Sequence, residues 1–342
     1  MRFCFGCHGK SDSAGDSTRE VEAGGGHGTP GLAGGQIRCS SGSMRVAGQL
    51  RELLRQDGMI TAPGAYDCIT ARAIEHAGFK AVYMTGAGTA AAFGYPDYGL
   101  LTMSEMADNA GRIAGSVGVP VIADADTGYG NELNVVRTVR EYEMRGVAGI
   151  HIEDQTFPKR CGHLAGNQVI ALEDYLAKIR AALGARRDPD FLIIARTDAR
   201  ATLGFDEAIR RANAALDAGA DMAFVEAPES VEEVTAVPKL VKGPCLLNVV
   251  WRGKTPDFGL DQAQAMSYKL AILPALLFTA VIGACDRILQ ELQQTGRHPV
   301  PLVDLTVQEA FRRLGADEWG DQFLAFRRKL DSCRRSQNQR PD

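Results

Sequence analysis

From residue 44 onward, short apolar runs alternate with longer stretches in which apolar residues return every three or four positions, the pattern of strands followed by amphipathic helices. The runs predict eight strands, at 59–63, 81–85, 119–124, 149–153, 191–196, 222–226, 244–249 and 268–273. Helical spacing predicts helices over 67–77, 104–116, 132–145, 172–183, 205–218, 231–241, 260–266 and 275–294. Gly78, Gly146 and Gly219 each follow one of these helices, at the position where the backbone turns left-handed. Strands that are apolar throughout belong to a parallel sheet covered by helices, and eight is the number that closes into a barrel. The expectation is an α/β protein, a (β/α)8 barrel with C-terminal helices over 44–330. Its last amphipathic stretch, 303–330, is expected to cover the barrel or a neighbouring subunit.

Residues 1–43 break the pattern. They are rich in Gly and Ser and lack periodicity, so a disordered leader is expected there, and a polar tail at 331–342. The chain of 342 residues is 45% hydrophobic and 23% charged, enough for a large core. Its net charge of −4 leaves no basic footprint for nucleic acid and no polybasic membrane patch. The longest apolar stretch, 270–284, is divided by Pro274 and is too short to span a bilayer. Eight cysteines are scattered without a framework spacing and no secretory signal precedes them, which points to a reducing cytoplasm. Cys4-Phe5-Gly6-Cys7-His8 matches a haem-attachment pattern, but it sits in the unpatterned leader with no export signal, so haem is not expected.

A barrel of this kind builds its site at the carboxyl ends of its strands. Six successive predicted strands end in polar residues: Tyr83 with Thr85 and Gly86, Asp124 with Asp126, His151 with Glu153 and Asp154, Arg196 with Asp198, Glu226, and Asn248. The carboxylates of Asp124, Asp126 and Glu153 would converge at one rim, where their repulsion calls for a cation. Hard oxygen donors suit Mg2+ or Mn2+ rather than zinc. His151, flanked by buried isoleucines, reads as a hydrogen-bonded supporting residue rather than a ligand. Gly86-Ala87-Gly88-Thr89-Ala90-Ala91 imitates a dinucleotide fingerprint, but Glu105, where a ribose-binding acid would be sought, falls in a helix start, so nucleotide binding is disfavoured. Cys161 lies between Lys159-Arg160 and His163. Neighbouring cations favour a thiolate, which makes Cys161 a candidate acid/base; the competing reading is a basic surface loop with an incidental cysteine.

Three segments, Val121 through Gly130, Gly149 through Gln155 and Lys159-Arg160-Cys161-Gly162-His163, resemble the isocitrate lyase and phosphoenolpyruvate mutase superfamily. Arg196-Thr197-Asp198, Glu226-Ala227 and Gly253-Lys254-Thr255-Pro256 continue the likeness in order. The resemblance implies a helix-swapped homotetramer built from dimers, Mg2+ at the rim, and a Mg2+-dependent carbon–carbon lyase acting on a 2-substituted malate-type substrate, a di- or tricarboxylate, to release pyruvate or a related 2-oxo acid. Carboxyphosphonoenolpyruvate phosphonomutase and oxaloacetate decarboxylase or hydrolase are the alternatives within it. It further implies Cys161 as proton donor, Tyr83 as base, Arg196, His163 and Glu153 as catalytic partners, and Thr85, Gly86, Ala87, Asp97, Gly162, Arg196, Glu226 and Asn248 around the substrate. Members that take a tricarboxylate bring arginines to positions matched here by Thr279 and Val307, neither of which can pair a carboxylate. A dicarboxylate such as 2,3-dimethylmalate is favoured accordingly. Trp251 either lines a pocket for an alkyl group or simply packs.

Overall fold

The structure, a computed structural model, describes residues 45–162 and 166–337, with side chains to residue 330. The leader expected at 1–43 and its Cys4–His8 motif lie outside these residues. Eight parallel strands close in chain order: β1 (Ile60–Ala65), β2 (Val82–Met84), β3 (Val121–Asp124), β4 (Gly149–Glu153), β5 (Leu192–Thr197), β6 (Met222–Val225), β7 (Cys245–Asn248) and β8 (Leu270–Leu273). The ring is sealed where Ile60 stands opposite Leu270 and Pro63 opposite Leu273.

Side chains alternate across a strand, so every second residue enters the barrel and the others face the helices. The inward series is apolar low in the barrel, where Ile122, Leu192, Ile194, Met222, Phe224, Leu246, Leu270 and Ile272 pack as one cluster. Continued by one more step of two, the same series reaches Asp124, Arg196, Glu226 and Asn248. Their place at the rim is thus a consequence of strand parity. The outward series, Val82, Met84, Val121, Ala123, Ile150, Ile152 and Ile193 among them, packs against helices. Each large side chain removed from water contributes about 1.5–3 kcal/mol, which lets the barrel tolerate polar groups at one end.

Around the barrel lie α2 (Cys68–His76), α4 (Met103–Ser116), α5 (Glu132–Met144), α6 (Leu172–Ala185), α8 (Phe205–Asp217), α9 (Val231–Leu240), α10 (Leu260–Ala265) and α11 (Leu276–Thr295), each within two residues of its expected bounds. Gly78, Gly146 and Gly219 all adopt positive φ after their helices. Glu105 closes a capping box at the start of α4, accepting from the Thr102 backbone N–H and hydroxyl at 2.7 Å each, which disposes of a ribose-binding role.

Three helices were not legible in the pattern. α1 (Val46–Arg55) buries Leu50 against the floor of the barrel interior, α3 (Gly86–Ala92) is built from the glycine-rich imitation of a nucleotide loop, and α7 (Ala199–Leu203) follows β5. The stretch expected as one helix over 303–330 is two, α12 (Val307–Arg313) and α13 (Ala316–Gln337), divided at Gly315 with φ of 88°. α13 also runs into the segment expected as a polar tail. No described helix is long and apolar enough to cross a membrane.

Candidate active site

A cavity of about 160 Å3 opens at the carboxyl ends of the strands, lined by Tyr83, Thr85, Ala87, Asp97, Asp124, Cys161, Gly162, Arg196, Glu226 and Asn248 on its polar side. Val250, Ile272, Pro274, Ala275 and Phe278 form the opposite wall. The volume suits a small acid rather than a drug-sized or nucleotide ligand, which occupies about 300 Å3 or more. Gly86 stands behind Asp124: a Cβ there would come within 2.3 Å of the Asp124 carboxylate, so only glycine permits the approach.

Cys161 reaches the cavity from the connection after β4, whose base is zipped where Gln155 bridges Val169 and Thr156 donates to the Gln168 carbonyl at 2.8 Å. Lys159 enters the rim and pairs with Asp97 at 2.5 Å and Asp126 at 2.9 Å. The Cys161 backbone N–H donates to the Asp97 carbonyl at 3.2 Å, and Lys254 donates to the Gly162 carbonyl at 3.1 Å. A Cβ on Gly162 would meet the Glu226 side chain at 2.5 Å. The thiol therefore sits on a segment docked at the rim and lines the cavity, which favours the acid/base reading of Cys161 over that of an incidental surface cysteine. His163, expected beside it, lies outside the described residues.

Buried charge dominates the electrostatics. Asp124, Asp126, Glu153, Asp154, Asp198 and Glu226 are all buried, against Lys159, Arg196, Arg211 and, further out, Lys178. Arg196 touches three of these acids: it binds Asp198 through two bonds of 2.9 Å and pairs with Glu153 at 3.2 Å and Glu226 at 3.7 Å. Burial opposes the Asp124 carboxylate, but His151, Lys159 and Arg196 outweigh it and hold its pKa down at about 2. Asp126, with burial unopposed by enough positive charge, rises to about 6, and burial drives Glu153 well above the carboxylate range. His151 is pushed down to about 4 by burial, so near neutrality it is an uncharged hydrogen-bond partner and the lasting cations are Lys159 and Arg196. Its Nε2 lies 2.8 Å from the Tyr83 hydroxyl, which also stands 3.4 Å from Asp124. Burial, then Asp124, pushes the Tyr83 phenol well above its usual value, so it is held protonated.

Asp124, Asp126 and Glu153 share the rim, where Lys159 pairs with Asp126 and Arg196 with Glu153, and of the three only Asp124 lines the cavity. Among the described residues no group of three acidic, His or Cys side chains is gathered closely enough to hold an ion together. One expectation needs correction: Trp251 does not line the cavity. It is 74% exposed and borders a separate apolar groove with Phe258, Leu276 and Thr279, which takes Thr279 out of the cavity as well. Gln155 and Asp198, which the expected set of site residues omitted, hold the Cys161 segment and Arg196 in place; their signal was membership of the segments Gly149 through Gln155 and Arg196-Thr197-Asp198.

A family model described as phosphoenolpyruvate phosphomutase matches residues 50–293. The chain belongs to that family. Within it, the chain is 50% identical to 2,3-dimethylmalate lyase of Eubacterium barkeri over 245 residues, 71% of this chain and 85% of that one. It is 46% identical to 2-methylisocitrate lyase of Aeropyrum pernix (strain K1) over 247 residues, 72% of this chain and 80% of that one. A crystal structure of 2,3-dimethylmalate lyase, of the PEP mutase/isocitrate lyase superfamily, superposes with a TM-score of 0.78 at 41% identity, covering 82% of this chain and 95% of the other. The family membership and the superposed barrel agree with what Val121 through Gly130 and the Lys159–Gly162 segment implied.

Proposed function

We propose that the chain is a carbon–carbon lyase that cleaves a 2-substituted malate-type dicarboxylate, 2,3-dimethylmalate or a close analogue, to a 2-oxo acid and a carboxylate. The observation that carries this reading is the docking of Cys161 over a small cavity whose polar side holds Arg196 and Asn248 and whose other wall is apolar. Kinship to two lyases of malate-type acids supports it. The apolar wall of Val250, Ile272 and Phe278 favours alkyl substituents, and among the described residues the lining offers no cation besides Arg196 for a third carboxylate.

The rim also fits a divalent cation by its chemistry. Buried carboxylates outnumber buried cations, and Glu153, ion-paired with Arg196, has no hydrogen-bond partner on either oxygen. We assign Mg2+, with Mn2+ as an equivalent, to Asp124 with Asp126 and Glu153. A divalent ion there would lower the pKa of the substrate hydroxyl and neutralise its neighbouring carboxylate.

Tyr83 faces the substrate hydroxyl. Because burial keeps its phenol protonated, it accepts that proton while passing its own to neutral His151 at 2.8 Å, a relay in place of a standing phenolate base. When the carbon–carbon bond breaks, its electron pair becomes an enolate whose carboxylate Arg196 and the Asn248 amide hold. Cys161 then gives its S–H proton to the enolate carbon. The docked Lys159–Gly162 segment keeps water from competing for that carbon.

Steady-state assays with 2,3-dimethylmalate, 2-methylisocitrate, oxaloacetate and a phosphonate substrate, each with Mg2+ and with a chelator, test this. The highest kcat/KM is expected for 2,3-dimethylmalate, with no turnover after chelation. Cleavage of oxaloacetate or the phosphonate alone would sink the reading. We further propose a homotetramer with C-terminal helices exchanged between subunits, supported by α11, a helix of 20 residues none of which is buried. A cytoplasmic setting is supported by Cys68, Cys161, Cys245 and Cys285, none of which is in a disulfide.

A further inference from the structure

Gln155 lies just past the tip of β4, is 1% exposed, and does not line the cavity. Its amide is nevertheless fully used. Oε1 accepts from the Arg160 backbone N–H at 3.0 Å, and Nε2 donates to the Arg160 carbonyl at 2.8 Å and to Asp198 at 3.0 Å. The side chain thus serves as a strand partner for the residue immediately before Cys161. Asp198 grips the Arg196 guanidinium through both of its oxygens. It is itself fixed by Asp154, which accepts from the Asp198 N–H at 2.8 Å and from Arg211 at 3.0 Å. One amide therefore joins the backbone that carries the proton donor to the carboxylate that orients the substrate-binding arginine. The fit between them is close, since a Cβ on Gly162 would stand 2.9 Å from the Arg196 guanidinium.

We infer that Gln155 is a positioning residue that fixes Cys161 relative to Arg196, so that the proton arrives at the carbon of the enolate Arg196 holds. An amide suits the task because it donates and accepts at once, whatever the pH. Arg160 is itself exposed, so without this amide its N–H and C=O would turn to water and nothing in the side chain of residue 155 would hold them against the barrel. This inference rests on the lyase reading of the site.

Gln155→Glu and Gln155→Leu test it. Glutamate keeps the shape and the acceptor for the Arg160 N–H but removes both donors; leucine removes all three bonds. With 2,3-dimethylmalate, Gln155→Glu is expected to lower kcat by about 10- to 100-fold, the scale of a small misplacement of a reacting group. KM should stay within about threefold, because Asp198 still orients Arg196. The solvent deuterium isotope effect on kcat should rise, since proton delivery becomes slower than the other steps. Alkylation of Cys161 by iodoacetamide, followed on its own peptide by mass spectrometry, should accelerate in both variants. That measurement needs no turnover: a parent enzyme that cleaves no malate-type acid defeats the lyase reading, while the alkylation rates still decide on Gln155. Unchanged alkylation in both variants overturns the inference. So does a kcat that falls only in step with the folded fraction by circular dichroism, with a parental isotope effect.

Discussion

At the barrel rim, six carboxylates are buried among fewer cations, while along the C-terminal helices large apolar side chains stand in solvent, with Trp319, Phe323, Phe326 and Leu330 each more than half exposed. Both regions defy the ordinary sorting of polar outward and apolar inward, and they do so for different reasons. Burying charge costs free energy that only other charges or a ligand offset, so the rim is a place prepared for chemistry. Exposing a continuous apolar stripe leaves stabilisation unrealised, so the helices are a surface prepared for contact. The spacing of residues 319, 323, 326 and 330 puts that stripe on one face of α13.

The contrast is sharpest where a change in one region leaves the other untouched. Cys161→Ser should lower kcat by about 100- to 10,000-fold, the range of a lost general acid. Its Tm and oligomeric state should match the parent, because the thiol sits at a docked loop and contributes little to the core. Differential scanning calorimetry beside the activity assay checks this. A variant that loses stability in proportion to activity would make the rim a structural feature and erase the distinction.

The opposite test strikes the helices. Phe323→Asp combined with Phe326→Asp should dissociate the proposed tetramer, since each Phe that a neighbouring copy covers would contribute about 1.5–3 kcal/mol and both would be lost from every copy. Light scattering should show a lower mass, and the Tm should lose its dependence on protein concentration. A parent chain that is monomeric at every concentration would mean that the exposed stripe has no copy of itself to meet.

The two regions also differ in how far the sequence discloses them. Strand parity carries the rim residues up from Ile122 to Asp124 and from Ile194 to Arg196, so their convergence is readable once the strands are found. What parity cannot show is which charges pair. Arg196 meets Glu153 because neighbouring strands set them opposite each other, but Lys159 claims Asp126 because the connection after β4 folds back over the barrel, a long-range event with no periodic signature. The role of Gln155 was invisible for the same reason, its three bonds depending on where Arg160 and Asp198 come to rest. α1 escaped notice because it stands before the first strand and no strand-then-helix unit called for it; its Leu50 plugs the floor of the barrel. The apolar period of 303–330 was plain, but periodicity does not say whether a stripe meets its own barrel or another chain, and the structure leaves much of it exposed.

An ordinary piece of core calibrates both departures, and Cys245 supplies one. Buried on β7 with its thiol donating to the Gly243 carbonyl at 3.4 Å, it is pushed up to about 12 by burial. An unfolded thiol titrates near about 8.5. Between those values the native state keeps a proton that the unfolded state loses, so the unfolded state binds fewer protons and stability falls as pH rises. The effect is absent below the unfolded pKa and grows by at most about 1.4 kcal/mol per pH unit above it. Cys245→Ala removes the titration at the cost of a small cavity that is the same at every pH. The stability gap between parent and variant, measured by denaturant unfolding at fixed protein concentration, should therefore narrow by roughly 1–2 kcal/mol between pH 8 and pH 10. An equal gap at both values would mean that the thiol ionises in place, and that burial alone holds groups neutral less firmly than the rim's reliance on Lys159 and Arg196 implies.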